Sequence, residues 1–149
     1  MKEFNSGQGK IELIEHDDLY LAVHIPEVEV QKYLTTMQQF LPQADFINYL
    51  SKQKLRDNNK YHITIVNPIE YDECHDILVS KIITYNLIGL GRVTKNEDDV
   101  FFIVIESLDI ENLRWQMKLP NRDLHVTLGF KNNDIHDVRK DRSTLFLSK

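Results

Sequence analysis

The chain has one cysteine among its 149 residues. Cys74 therefore has no internal disulfide partner and can belong to no cysteine-rich zinc knuckle, which points to a reducing, cytoplasmic setting. Proline and glycine are scarce, at four and five residues, so no segment reads as a linker or a low-complexity tract. No apolar run approaches the roughly 20 residues that a membrane span requires. The N-terminal stretch Met1–Gly7 has no apolar signal core, so neither anchor nor leader is expected. Positive charge is in the minority, 18 Lys and Arg against 23 Asp and Glu, for a net charge of −5. Broad binding to duplex nucleic acid runs on neutralised phosphates and is not expected of such a chain. One phosphate held at a local basic site remains open.

What is present is ordinary globular material, 42% hydrophobic and 28% charged. A chain of this length buries roughly 68–70% of its unfolded surface, enough for a core without disulfides. One domain over residues 1–149 is expected.

Residues 10–25 read as a hairpin broken at His16-Asp17-Asp18. Pro26 opens a helix that ends at Pro42, and Phe46 to Leu55 forms a second. Tyr61 to Val66 is a strand, followed by a helix over 70–81 with Ile77 and Leu78 inside. Residues 83–94 and 100–106 are strands around the polar turn 95–99. Leu108 to Leu119 is a helix, with Trp115 in the core or at a cleft edge, and Leu124 to Phe130 is the last strand. The order is mixed α+β, with sequential strands antiparallel.

Two strands carry the same triplet, His62-Ile63-Thr64 and His125-Val126-Thr127. Residues i and i+2 of a strand share a face and lie about 6.7 Å apart. Each triplet thus sets an imidazole and a hydroxyl side by side, with Ile63, Ile65, Val126 and Leu128 turned to the core. With six His and seven Thr in the chain, about 0.3 such triplets are expected by chance. Two, both in apolar strands, form a pattern.

The chemistry suits a phosphodiester. Cleavage at phosphorus needs a base for the attacking oxygen and an acid for the leaving one, and imidazole serves as either near neutrality. The threonine hydroxyls can donate to the non-bridging oxygens. No metal or other cofactor enters this scheme. Strict alternation adds Lys60, Gly129 and Lys131 to the face of the triplets and turns Phe130 to the core. Lys52, Lys54, Arg56 and Lys60 outnumber Asp57 ahead of the first triplet. Lys131, Arg139, Lys140, Arg142 and Lys149 outnumber the acids behind the second. The acidic body thus carries two basic islands flanking the motifs. His16, His24 and His75 read as ordinary turn, strand and helix residues. Cys74-His75 is too sparse for a metal site. His136 lies in the tail that follows the second triplet.

The paired triplets, in an α+β chain of this size, resemble the two-histidine (2H) phosphoesterase superfamily. Lys60 to Pro68, Asp123 to Phe130 and Asp134 to Leu145 look more narrowly like its Swiss Army Knife RNA repair-like branch. The resemblance implies a bilobal fold, two mixed or antiparallel β-sheet lobes with flanking helices around a central cleft, related by a pseudo-two-fold axis. It maps His62, Thr64, His125 and Thr127 onto the catalytic quartet. Lys60, by its strand face, and Lys140, by the resemblance of the tail, are the substrate-binding candidates. The expected activity is metal-independent cleavage of a 2′,3′-cyclic phosphate, or of a related nucleotide or RNA-end phosphodiester, by a monomer. The alternative is a module that binds an RNA end or nucleotide in the same cleft without turnover. Which histidine is acid and which is base stays open at this level.

Overall fold

The computed structural model describes residues 5–145; Lys149, counted in the second basic island, lies outside them. Strands β1 (Asn5–His16) and β2 (Asp18–Ile25) form the expected hairpin. Its turn is tight enough to put Asp17 at φ 66°, a conformation that Asp tolerates better than most residues. Helices α1 (Glu27–Gln38) and α2 (Gln43–Arg56) follow, each entered through a proline, Pro26 and Pro42. Proline suits a helix start because its missing N–H would find no partner in the first turn. Next come β3 (Tyr61–Val66), β4 (Ile82–Lys95), β5 (Asp98–Glu106), α3 (Leu108–Gln116) and β6 (His125–Phe130).

The strands make one antiparallel sheet in the order β3-β2-β1-β4-β5-β6. β1 joins its two halves. Asn5 to Lys10 pair with β4, and Ile11 to His16 pair with β2. Register shifts at Leu21/Ala22, Leu87/Gly89 and Phe101/Phe102 bend the strands, as bulges do. The sheet curls until its edge strands, β3 and β6, lie beside each other.

One face of the sheet packs on the helices. Val30, Tyr33, Leu34 and Met37 of α1, Tyr49 of α2 and Ile110 of α3 meet Ile63, Ile65, Val126 and Leu128 there. On the other face a smaller cluster, Val100, Phe102, Val104 and Phe130, is covered by Ile135 of the tail. His62 and Thr64, on the face opposite Ile63 and Ile65, are left for chemistry.

Three expectations need correcting. The helix expected over 70–81 is a short 3-10 turn, Glu73–Leu78, with an Asp72 carboxylate accepting from the Cys74 N–H. It buries Leu78 but leaves Ile77 exposed, and with one inward residue it has no apolar stripe to extend it. Trp115 is 76% exposed, and α3 is held instead by Ile110 and Arg114. The faces beyond Thr127 are also exchanged. Phe102 pairs with Thr127 but Phe101 pairs with Gly129, so the strand gains a residue and its alternation inverts.

Gly129 therefore faces α2 and Phe130 joins the outer cluster. A Cβ at Gly129 would lie 2.9 Å from the Tyr49 backbone oxygen, so no rotamer change relieves it. Gly129→Ala is expected to destabilise the protein by about 1–3 kcal/mol, read as a lowered urea midpoint at unchanged slope.

Candidate active site

His62 and Thr64 of β3 and His125 and Thr127 of β6 line one cleft of about 680 Å³. The close approach of the edge strands brings the triplets together. Tyr20 of β2 also lines this space, with Asn67, Pro68 and Ile69 after β3, Arg122 and Asp123 before β6, and Asp134, His136, Val138 and Lys140 of the tail. The turn His16-Asp17-Asp18 forms a lip.

Each imidazole is packed against an aromatic ring from a neighbouring strand. The His62 ring lies 5.6 Å from Tyr20, and the His125 ring lies 5.8 Å from Phe102, edge to face. His125 is fixed further through Nδ1, 3.1 Å from the Asp123 carbonyl oxygen. A carbonyl only accepts, so in the neutral ring Nδ1 carries the proton and Nε2 the basic lone pair. Among the described residues, neither threonine hydroxyl has a hydrogen-bond partner. Both can donate to a ligand.

Burial lowers the pKa of both rings. It brings His62 down to about 4, helped by the positive charges of Arg56 and Arg122 and opposed by Asp57. His125 is also held well below the ordinary value, by burial first and then by Lys140, with the Asp123 hydrogen bond acting the other way. At neutral pH both rings are therefore uncharged in the free protein. A bound anion reverses the balance, because a nearby negative charge favours the imidazolium.

The two lysine candidates fare differently. Lys60 stays outside the cleft, exposed ahead of β3. Asn58 and Asn59 take positive φ, and the Lys60 N–H bonds the Asp57 carbonyl. The strand has not begun at Lys60, so alternation does not reach it. Lys140 does line the cleft, but it is 3% exposed and its Nζ sits 3.1 Å from Asp134 Oδ1. The other Asp134 oxygen takes Arg56, whose guanidinium also grips Asp57 at 2.7 and 2.8 Å. One carboxylate thus ties the end of α2 to the tail, across the space between the motifs. Of the two basic islands, Arg56 and Lys140 reach the cleft, and both arrive already paired.

Asp123 has two tasks. Its carbonyl holds His125, while its carboxylate accepts from Arg139 at 2.8 Å and from the Lys140 N–H at 3.0 Å. The tail is thereby hooked to the residue that orients the second imidazole. Arg114, 2% exposed, braces the same segment from behind. It donates to the carbonyls of Pro120 and Ile65 and forks onto Glu70 at 2.8 and 2.7 Å. Sequence reasoning missed Arg114, Arg122 and Asp134. None lies in a strand pattern, and only an Arg beside Asp123 ahead of the second triplet was available as a signal for Arg122.

Among the described residues, no group of three or more His, Cys, Asp or Glu is arranged to hold a metal ion. Among them, too, no helix is long and apolar enough to cross a membrane. No curated protein and no solved structure matches the chain significantly. The family model described as Swiss Army Knife, 2H phosphoesterase domain, matches residues 19–136, which include all of β2 but Asp18, both triplets and the start of the tail. With that model covering most of the chain and both motif strands lining one cleft, the chain belongs to the Swiss Army Knife group of 2H phosphoesterases.

Proposed function

We propose that the protein is a phosphodiesterase acting on a 2′,3′-cyclic phosphate or a related nucleotide or RNA-end phosphodiester, with His62, Thr64, His125 and Thr127 as its working groups. The observation that carries this reading is the shared cleft, with two histidines from facing strands and two unpartnered hydroxyls around one space. The Asp123 hydrogen bond suits His125 to be the base, since it leaves Nε2 as the acceptor. His125 takes a proton from a water as its oxygen bonds to phosphorus. The phosphorus–ribose oxygen bond on the far side breaks, and the His62 imidazolium gives that oxygen its proton. The product is a phosphomonoester, and the histidines exchange protons with solvent to reset. Thr64 and Thr127 donate to the non-bridging oxygens, where charge is held in the transition state. No step calls for a metal.

A bound diester helps to charge the acid. Its negative charge raises the pKa of His62 from about 4, which favours the imidazolium that the acid role needs. A role in RNA repair or processing is consistent with this chemistry. The test is hydrolysis of the four 2′,3′-cyclic nucleotides, with the products resolved as 2′- or 3′-monophosphates by phosphorus NMR. Turnover to a single regioisomer is expected. Tight binding of these nucleotides without any turnover would instead establish a binding module.

A further inference from the structure

We propose that Arg122 is the cation that holds the substrate phosphate, the part that sequence reasoning gave to Lys60 and Lys140. The inference rests on the reading of the cleft as a phosphodiester site and names the residue that recognises the anion there.

The argument begins with the cations that line the cleft. Arg56 is divided between Asp57 and Asp134, and Lys140 is buried on Asp134. Arg122 lines the same space, yet among the described residues its guanidinium has no hydrogen-bond or ion-pair partner. Its Nε is fully buried and unsatisfied. The nearest acids are committed elsewhere, Glu70 to Arg114 and Asp123 to Arg139. A buried donor without an acceptor is costly, and the cost is recovered when an acceptor arrives. Arginine presents a planar fork that matches two oxygens of a phosphate, which the paired lysine cannot offer.

Position supports the assignment. Arg122 lies three residues before His125, in the segment braced by Arg114 at Pro120. Its positive field lowers the pKa of both His62 and His125, so it stands within electrostatic reach of both motifs. Burial weighs against its own charge. An arriving anion relieves the guanidinium and both imidazoles together.

The experiment measures binding of inorganic phosphate by calorimetry, and KM for 2′,3′-cyclic CMP, in wild type, Arg122→Ala, Arg122→Lys and Lys60→Ala. Arg122→Ala should weaken phosphate binding by about ten- to a hundredfold, as expected for a hydrogen bond to a charged group. Arg122→Lys should recover part of the loss. Millimolar guanidinium chloride should restore binding to Arg122→Ala, an effect that a merely structural role would not show. Lys60→Ala should bind like wild type. If Arg122→Ala does not fold, Arg122→Gln keeps the side-chain length and takes its place. A folded Arg122 variant that binds phosphate as wild type does would overturn the assignment. Wild type that binds phosphate through Arg122 but cleaves no cyclic phosphate would overturn the diesterase reading and leave this one standing.

Discussion

His125→Ala should lower kcat on a 2′,3′-cyclic nucleotide by about 10²–10⁴-fold, and His62→Ala by a similar factor, the usual worth of a positioned proton donor or acceptor. Both variants should stay folded. Each ring faces the cleft and leaves the helix-side core, built on Ile63, Ile65, Val126 and Leu128, untouched. The double variant should be little worse than the poorer single one, because acid and base act in the same step and their losses do not add. The pH dependence is equally specific. As base, His125 must be unprotonated, and burial with Lys140 nearby lowers its pKa. The acid limb of kcat/KM should therefore lie well below the ordinary imidazole value of about 6.5. Because His62 as the acid must be protonated and its pKa in the free protein is about 4, the rate should rise as pH falls from neutrality towards that limb. Lys140→Met removes the neighbouring positive charge and should move the limb upward. Turnover that survives both alanine changes would sink the mechanism, and an acid limb at the ordinary value would remove His125 from the base role.

Much of the fold could be read in advance because its signals are local. Alternation in Tyr61 to Val66, the apolar stripe of α1 and the prolines before α1 and α2 all act within a few residues. The quartet was legible for the same reason, since two short strands repeat one triplet and period two sets its side chains on one face. What escaped depends on partners distant in the chain. The bulge opposite Phe101 and Phe102 exchanges the faces of Gly129 and Phe130, and nothing within β6 announces it. Lys60 fell to a turn held by the Asp57 carbonyl. Lys140, a substrate-binding candidate by the resemblance of the tail, lines the cleft, but its partner Asp134 was not foreseen, so a paired cation looked free. Arg122 looked unremarkable for the opposite reason. Only the engagement of Glu70 and Asp123 by other arginines isolates it.

Asp134→Ala should destabilise the protein by about 3–5 kcal/mol, the range found when one partner of a buried ion pair is removed. Asp134 and Lys140 have side-chain exposures of 4% and 3%, and Arg56 completes the group at 34%. Arg56 would keep Asp57, but among the described residues the Lys140 ammonium would keep only the Phe102 ring, 5.7 Å away. Stranding the ammonium is what costs, so removing it as well should relieve the loss. Asp134→Asn with Lys140→Met is expected to recover most of the stability, since a well-packed apolar side chain can replace a buried charge at little cost. Chemical denaturation of the two single variants and the double variant measures this directly. The pH dependence follows with a definite sign. Burial alone would raise the Asp134 pKa, but Lys140 and Arg56 more than offset it and hold the value well below the carboxylate range. A depressed folded pKa means stability fully present above the unfolded value of about 3.9 and lost as pH falls through the folded one. The wild type should therefore lose stability in that acid window, and Asp134→Asn should lose less of it. Activity should fall with stability. The tail carries Val138 and Lys140 into the cleft wall and returns to Asp123, whose carbonyl orients His125, so a loosened tail frees the base as well as the wall. An Asp134→Ala protein as stable as wild type would mean that the tail is held by Ile135, Arg139 and the Lys140 N–H without help from the buried charges.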